Sequence, residues 1–116
     1  MRRAKLRKGE YKIASFLLSR EIDDALGNVA NAKKTTKSAL VEEALRFASE
    51  NPEKFKRFIK RAELDEDAVN RSFTLSLETL RVLSELSEEL SLTKSALVEL
   101  ALGFYLRSSD SKNRQR

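Results

Sequence analysis

From Tyr11 to Ser19 the chain is rich in aromatic, β-branched and apolar residues, which predicts a short strand, with Ser19 placed to cap a helix behind it. Ile22, Ala25, Leu26 and Val29 then recur at helical spacing and predict that helix, although Gly27 and two asparagines weaken it. A Lys33-Lys34-Thr35 turn leads to Thr36, whose hydroxyl can cap a second helix with Leu40, Val41, Ala44, Leu45 and Ala48 on its core side. Asn51-Pro52 marks a boundary, because asparagine caps well and proline suits the first helical position. Beyond it, Phe55, Phe58, Ile59 and Ala62 line one face of a connecting helix running to Leu64, with lysines and arginines mostly on the other faces and the acids Asp65, Glu66 and Asp67 at its end. A strand and two helices follow once more. Ser72-Phe73-Thr74-Leu75 alternates polar and apolar as a strand with one buried face does. Ser76 caps a helix bearing Leu80, Leu83, Leu86 and Leu90, and Thr93 caps a last helix with Leu97, Val98, Ala101, Leu102 and Tyr105 inward.

This recurrence is literal. The heptapeptide Thr-Lys-Ser-Ala-Leu-Val-Glu occupies residues 36–42 and again, 57 positions later, residues 93–99. The same offset sets Phe73 over Phe16, Leu75 over Leu18, Ser76 over Ser19, Glu78 over Glu21 and Leu83 over Leu26, and it continues downstream to Ala101 over Ala44 and Leu102 over Leu45. The chain therefore divides into a basic arm (1–11), a first unit (12–50), a connecting helix with an acidic linker (51–68), a second unit (69–107) and a basic tail (108–116), with arm and tail expected to be disordered. A unit of under ~40 residues without cysteine buries too little to stand alone, so the two must pack on each other or on another chain. A connecting helix of about 13 residues covers about 20 Å, and residues 65–69 add up to about 17 Å if extended, enough to bring the second strand back beside the first.

Charge sharpens this division. The 116 residues carry a net charge of +5, with six basic residues and one acid in positions 1–12 and four basic residues and one acid in positions 107–116, so the 94 residues between them sum to −3. Basic arms around a nearly neutral body are a frequent footprint of polyanion binding, although such arms can also be merely solubilising. The absence of cysteine fits a reducing compartment. No apolar run approaches the roughly 18 residues of a membrane span, and no apolar segment follows the basic N-terminus as a signal peptide would require, so a soluble, cytoplasmic protein is expected.

Each unit is thus a strand, a helix, a turn and a second helix opening with Thr-Lys-Ser. In this order and spacing the chain resembles the ribbon-helix-helix family of DNA-binding proteins, the group of the Arc and MetJ repressors and the plasmid copy-number repressors. The resemblance rests on Phe73-Thr-Leu-Ser, on the leucine-spaced helix after it and on Leu92-Thr-Lys-Ser-Ala-Leu-Val-Glu-Leu-Ala-Leu, and it recurs at residues 16–45, covering about two thirds of the chain. It implies a mainly α fold with one short two-stranded antiparallel β-ribbon, formed by two ribbon-helix-helix units of one chain as a pseudodimer.

The family's mechanism places the ribbon in the major groove, whose donor and acceptor pattern distinguishes all four base pairs. With Phe73 and Leu75 buried, alternation turns Asn70, Ser72 and Thr74 outward as the base-reading set. The offset makes Ile13, Ser15 and Leu17 their counterparts. Two of these three are apolar: they could touch thymine methyl groups, the strand could keep only a structural role, or another part of the chain could cover it. Unequal strands favour an asymmetric site over a perfect palindrome. Arg71, at the start of its strand, is expected to reach a phosphate. By resemblance, the helix openings Thr36, Lys37, Ser38 and Thr93, Lys94, Ser95 clamp the DNA backbone, as the partial positive charge of a helix N-terminus allows, though Thr and Ser there also serve as plain helix caps. Arg2, Arg3, Lys5, Arg7, Lys8 and Lys12 of the arm are expected to add phosphate contacts.

Other classes find less support. Without histidine or cysteine, nucleophilic dyads and the usual transition-metal sites lose their main parts. Glu42-Glu43, Glu88-Glu89 and the acids at 65–67 read as solvated helix surfaces, and the three glycines are scattered rather than gathered into a phosphate loop. No catalysis, cofactor, metal or small-molecule ligand is therefore expected. The expected partner is double-stranded DNA, with possible homo-oligomers on it, no membrane, and association with the nucleoid when bound. A transcriptional repressor of prokaryotic, plasmid or viral origin is the leading reading. A conjugation or partition accessory protein would use the same chemistry, and an antitoxin-like interaction module on the same fold, binding through the linker helix, is the rival.

Overall fold

Strands β1 (Tyr11–Ser19) and β2 (Ala68–Ser76) pair antiparallel in a two-stranded sheet. Among the described residues five helices make up most of the rest: α1 (Arg20–Lys33), α2 (Lys37–Glu50), α3 (Pro52–Arg61), α4 (Leu77–Leu90) and α5 (Lys94–Arg114). This computed structural model describes residues 11–62 and 67–114, with side chains as far as Ser108. No helix among the described residues is long and apolar enough to cross a membrane.

The turns from strand to helix are made by the residues expected to make them. Ser19 and Ser76 keep extended backbone, and their hydroxyls accept the N–H groups of Ile22 and Thr79, each at 3.1 Å, which satisfies one of the otherwise unpaired donors of a helix start. The helix ends match as well. Lys34 and Ser91, related by the offset, both adopt the left-handed conformation at φ 56°. This folds the chain back so that the Thr35 N–H reaches the Ala30 carbonyl at 2.9 Å and the Leu92 N–H reaches that of Ser87 at 3.0 Å.

The sheet register has a centre. Ser15 faces Ser72, its own counterpart 57 positions on, and the pairing runs outward symmetrically to Tyr11 opposite Ser76 and Ser19 opposite Ala68. Strand alternation then sends Phe16, Leu18, Phe73 and Leu75 to one face, where they join Leu26, Leu40, Val41, Leu83, Leu97 and Val98 in a single core drawn from both repeats. The rings of Phe16 and Phe73 lie 6.4 Å apart across the sheet.

Helix α3 is the element without a counterpart. Phe55 is fully buried, and Phe58, Ile59 and Ala62 are partly buried against the core, so its apolar face is used within the chain. It packs on α5, where Phe55 and Phe58 both approach Phe104 (5.3 and 5.6 Å between ring centroids) and Phe58 covers Gly103. A Cβ at Gly103 would come within 3.2 Å of the Phe58 ring, so glycine there permits the close approach.

Three local expectations need revision. Asn51 does not cap α3 through its side chain; its amide instead donates to the Phe47 carbonyl at 2.9 Å, closing the end of α2, and Pro52 alone opens the next helix. Helix α3 stops at Arg61, short of Leu64, which lies with Asp65 and Glu66 outside the described residues, and β2 already begins at Ala68. At the other end α5 continues to Arg114, where a disordered tail was expected from 108. The apolar spacing ends at Leu106, but no proline or glycine follows to stop the helix.

Candidate nucleic-acid interface

Alternation along the two strands leaves Ile13, Ser15, Leu17, Asn70, Ser72 and Thr74 on the face turned away from the core, and all six are exposed. Ile13 and Leu17 are 75% and 55% exposed, unusually open for large apolar side chains. Ile13 sits opposite Thr74 and Leu17 opposite Asn70. At the centre the hydroxyls of Ser15 and Ser72 hydrogen-bond to each other at 2.7 Å. The six residues therefore form one continuous outward stripe, and no other described part of the chain covers β1.

The repeated heptapeptide holds this stripe in place, and its threonine, serine and glutamate each have a defined partner in both copies. Thr36 and Thr93 cap α2 and α5 by accepting the N–H groups of Ala39 and Ala96 at 3.0 and 3.1 Å. Two positions on, each serine crosses to the strand of the other repeat: Ser38 Oγ accepts the Thr74 N–H, and Ser95 Oγ accepts the Leu17 N–H, both at 2.9 Å. The closing glutamates do the same at the strand ends. Glu99 accepts the Ser19 N–H at 2.9 Å, and Glu42 accepts the Ser76 N–H. Between them Leu40, Val41, Leu97 and Val98 are buried.

Charged groups around the stripe are unevenly deployed. Lys37 and Lys94 open α2 and α5 and are exposed, with Lys37 lying 3.9 Å from Asp23. Arg71 turns to α1, where its Nε and Nη2 face the Asp23 carboxylate at 3.2 and 3.1 Å and its Nη1 reaches the Asn70 carbonyl at 3.2 Å. A phosphate contact by Arg71 would thus share the guanidinium with Asp23. Lys12 has the inward parity of Phe16 but, near the end of the ribbon, remains exposed. Arg2, Arg3, Lys5, Arg7 and Lys8 lie outside the described residues.

Two kinds of residue escape a reading of the sequence alone. Glu42, read as one of a solvated pair with Glu43, is half-buried and holds the end of β2; only Glu43 is exposed. Its signal was the presence of the same glutamate in both heptapeptides. Asp23, buried at 8% exposure, looks in sequence like any acid in a helix first turn, and its partner Arg71 is 48 residues away.

This ion pair joins the first repeat to the second and is not duplicated among the described residues. At the positions related by the offset stand Leu80, Ala14 and Lys94, and these line an open hollow of about 520 Å³ between β1, α4 and the start of α5. Among the described residues no group of carboxylates is arranged to hold a metal ion. The outward surface is a stripe of hydrogen-bonding and methyl-bearing side chains between two helix starts, each carrying a lysine. Comparison with known proteins adds nothing to this picture, since no family model, no curated protein and no solved structure matches the chain.

Proposed function

We propose that this protein is a tandem ribbon-helix-helix pseudodimer that binds double-stranded DNA by sequence, with the ribbon in the major groove, and acts as a transcriptional repressor in the cytoplasm and on the nucleoid. The observation that carries this reading is the exposed stripe of six ribbon residues, which the core does not use and which both copies of the heptapeptide brace from behind. A major groove about 12 Å wide admits a two-stranded ribbon, and serine, threonine and asparagine are short enough to bond base edges from it. Thr36-Lys37 and Thr93-Lys94 would then meet the phosphates on either side, where helix N-termini favour negative charge. The hydroxyls of Ser38 and Ser95 accept from the strands, so each keeps its own hydrogen to donate to a phosphate. The basic residues at 2–12 run directly into β1 and supply sequence-independent attraction.

The use of Phe55 and Phe58 in the core removes the apolar face through which an adaptor-like linker helix would dock a partner. DNA binding therefore accounts for more of the molecule than an interaction module does.

Selection from a random duplex pool tests the proposal, followed by salt titration of the winner and of a scrambled control. A defined motif bound at least about a thousandfold tighter than the control is expected. On that motif Thr74→Ala should cost about 1–3 kcal/mol, with little effect on the control, whereas removing residues 2–8 should weaken both and flatten the salt dependence. Equal losses on both DNAs for the Thr74 variant would refute base reading by the ribbon. No enrichment at all, with only salt-sensitive binding left, would refute sequence-specific binding.

A further inference from the structure

The six outward residues are sorted by strand rather than mixed. β1 presents Ile13, Ser15 and Leu17, and β2 presents Asn70, Ser72 and Thr74. Because Ile13 lies opposite Thr74 and Leu17 opposite Asn70, each end of the ribbon sets one apolar residue of β1 beside one polar residue of β2. The centre is neutral in this respect, since Ser15 and Ser72 are identical and bonded to each other.

We propose that this sorting makes the ribbon a reader of A·T pairs in one fixed orientation, with adenines on the DNA strand facing β2 and thymines on the strand facing β1. The inference rests on the DNA-binding reading above. Paired β-strands lie about 5 Å apart and the groove is about 12 Å wide, so each row of side chains lies nearer the base edges of one DNA strand. Residues 13 to 17 and 70 to 74 each extend over about 14 Å, or about four base-pair steps.

On the β2 side, asparagine can bond both N6 and N7 of adenine, and a threonine hydroxyl can serve either a donor or an acceptor. On the β1 side, Ile13 and Leu17 offer only hydrocarbon, and the group in the major groove that hydrocarbon favours is the thymine C5 methyl. One A·T pair satisfies both members of an end: its adenine meets Asn70 while its thymine methyl meets Leu17. At the other end Thr74 and Ile13 meet a second pair in the same orientation. A ribbon with two identical strands would meet that second pair reversed, and would select an inverted repeat. This ribbon selects adenines at both ends of the core on one DNA strand.

The test uses the full-length protein and the duplex it selects, prepared in three forms: unmodified, with uracil replacing thymine in one strand, and with uracil replacing thymine in the other. The replacement removes only the C5 methyl. Uracil opposite the adenine-bearing strand should weaken binding about fourfold for each contacted methyl, and uracil in the adenine-bearing strand should change little. A variant carrying Ile13→Ala and Leu17→Ala, whose exposed positions leave the core intact, should bind all three duplexes alike. An inverted-repeat core, equal losses from both uracil strands, or an undiminished uracil effect in that variant would overturn the sorting while leaving sequence-specific binding standing. Failure to enrich any duplex would overturn the sequence-specific binding on which the sorting rests.

Discussion

Asp23 of the first repeat holds the guanidinium of Arg71 of the second and lies 3.9 Å from Lys37; the positions related to these by 57 are Leu80, Ala14 and Lys94, and they line an open hollow. Set against this difference, the hydrogen bonds that the two heptapeptides make to the opposite strands are the same on both sides. Ser38 and Ser95 accept from the opposite strand, Glu42 and Glu99 accept from the opposite strand's end, and Leu40 and Val41 are buried as Leu97 and Val98 are. Identity is kept where each heptapeptide grips the opposite strand. Difference appears on the outward face of the ribbon, on the face that meets α3 and at the buried Asp23, whose counterpart is Leu80, so the heptapeptide contacts form a symmetric frame and the asymmetry lies around it.

The sharpest test of that division lies in the aromatic pair Phe47 and Phe104, counterparts whose rings stand 5.1 Å apart. Only Phe104 also meets Phe55 and Phe58 of α3, and it is the more deeply buried of the two. Phe104→Ala is expected to cost about 3–5 kcal/mol in denaturant unfolding, since it leaves a cavity under three rings, and Phe47→Ala to cost less by at least about 1 kcal/mol. Equal costs would mean that α3 is a tether and not part of the core.

Glu42→Ala and Glu99→Ala probe the opposite limb of the comparison. Each removes a carboxylate that accepts a strand-end N–H at a part-buried site, and each should destabilise by about 1.5–3 kcal/mol. The two losses should agree to within about half a kcal/mol. A clear inequality, measured by chemical denaturation of the two variants side by side, would break the claim that the frame is symmetric.

Much of this frame is legible in the sequence because it is local. A serine or threonine hydroxyl at a helix start acts within three residues, and strand parity follows from a single buried phenylalanine, so the caps at Ser19, Thr36, Ser76 and Thr93 and the six outward residues can be read directly. What escapes depends on distance along the chain. Arg71 reads as a free cation until β2 is laid beside α1, and Glu42 as solvated until Ser76 is brought against α2. Asn51 misleads for a different reason: a good capping residue can equally turn its amide back to the helix it follows, and the choice depends on its backbone, here φ −130°, ψ 58°.

The smallest expected effect is also the most direct trial of the asymmetry. If the hollow between β1, α4 and α5 is the empty counterpart of the Asp23–Arg71 pair, the pair can be transplanted into it by Leu80→Asp with Ala14→Arg. Leu80→Asp alone gives up partly buried apolar surface and sets a carboxylate beside Lys94, and should destabilise. Ala14→Arg alone adds a long cation at a half-buried strand position and should be close to neutral. Together they should regain about 1 kcal/mol relative to the sum of the single changes, the amount a partly exposed, two-point guanidinium–carboxylate contact supplies. The native pair gives the reference: Asp23→Leu with Arg71→Ala should show a coupling of similar size in its own double-mutant cycle. Strict additivity at the hollow, with coupling retained in the native pair, would mean that the hollow differs from the ionic site in backbone and not only in side chains. The asymmetry would then extend into the frame itself.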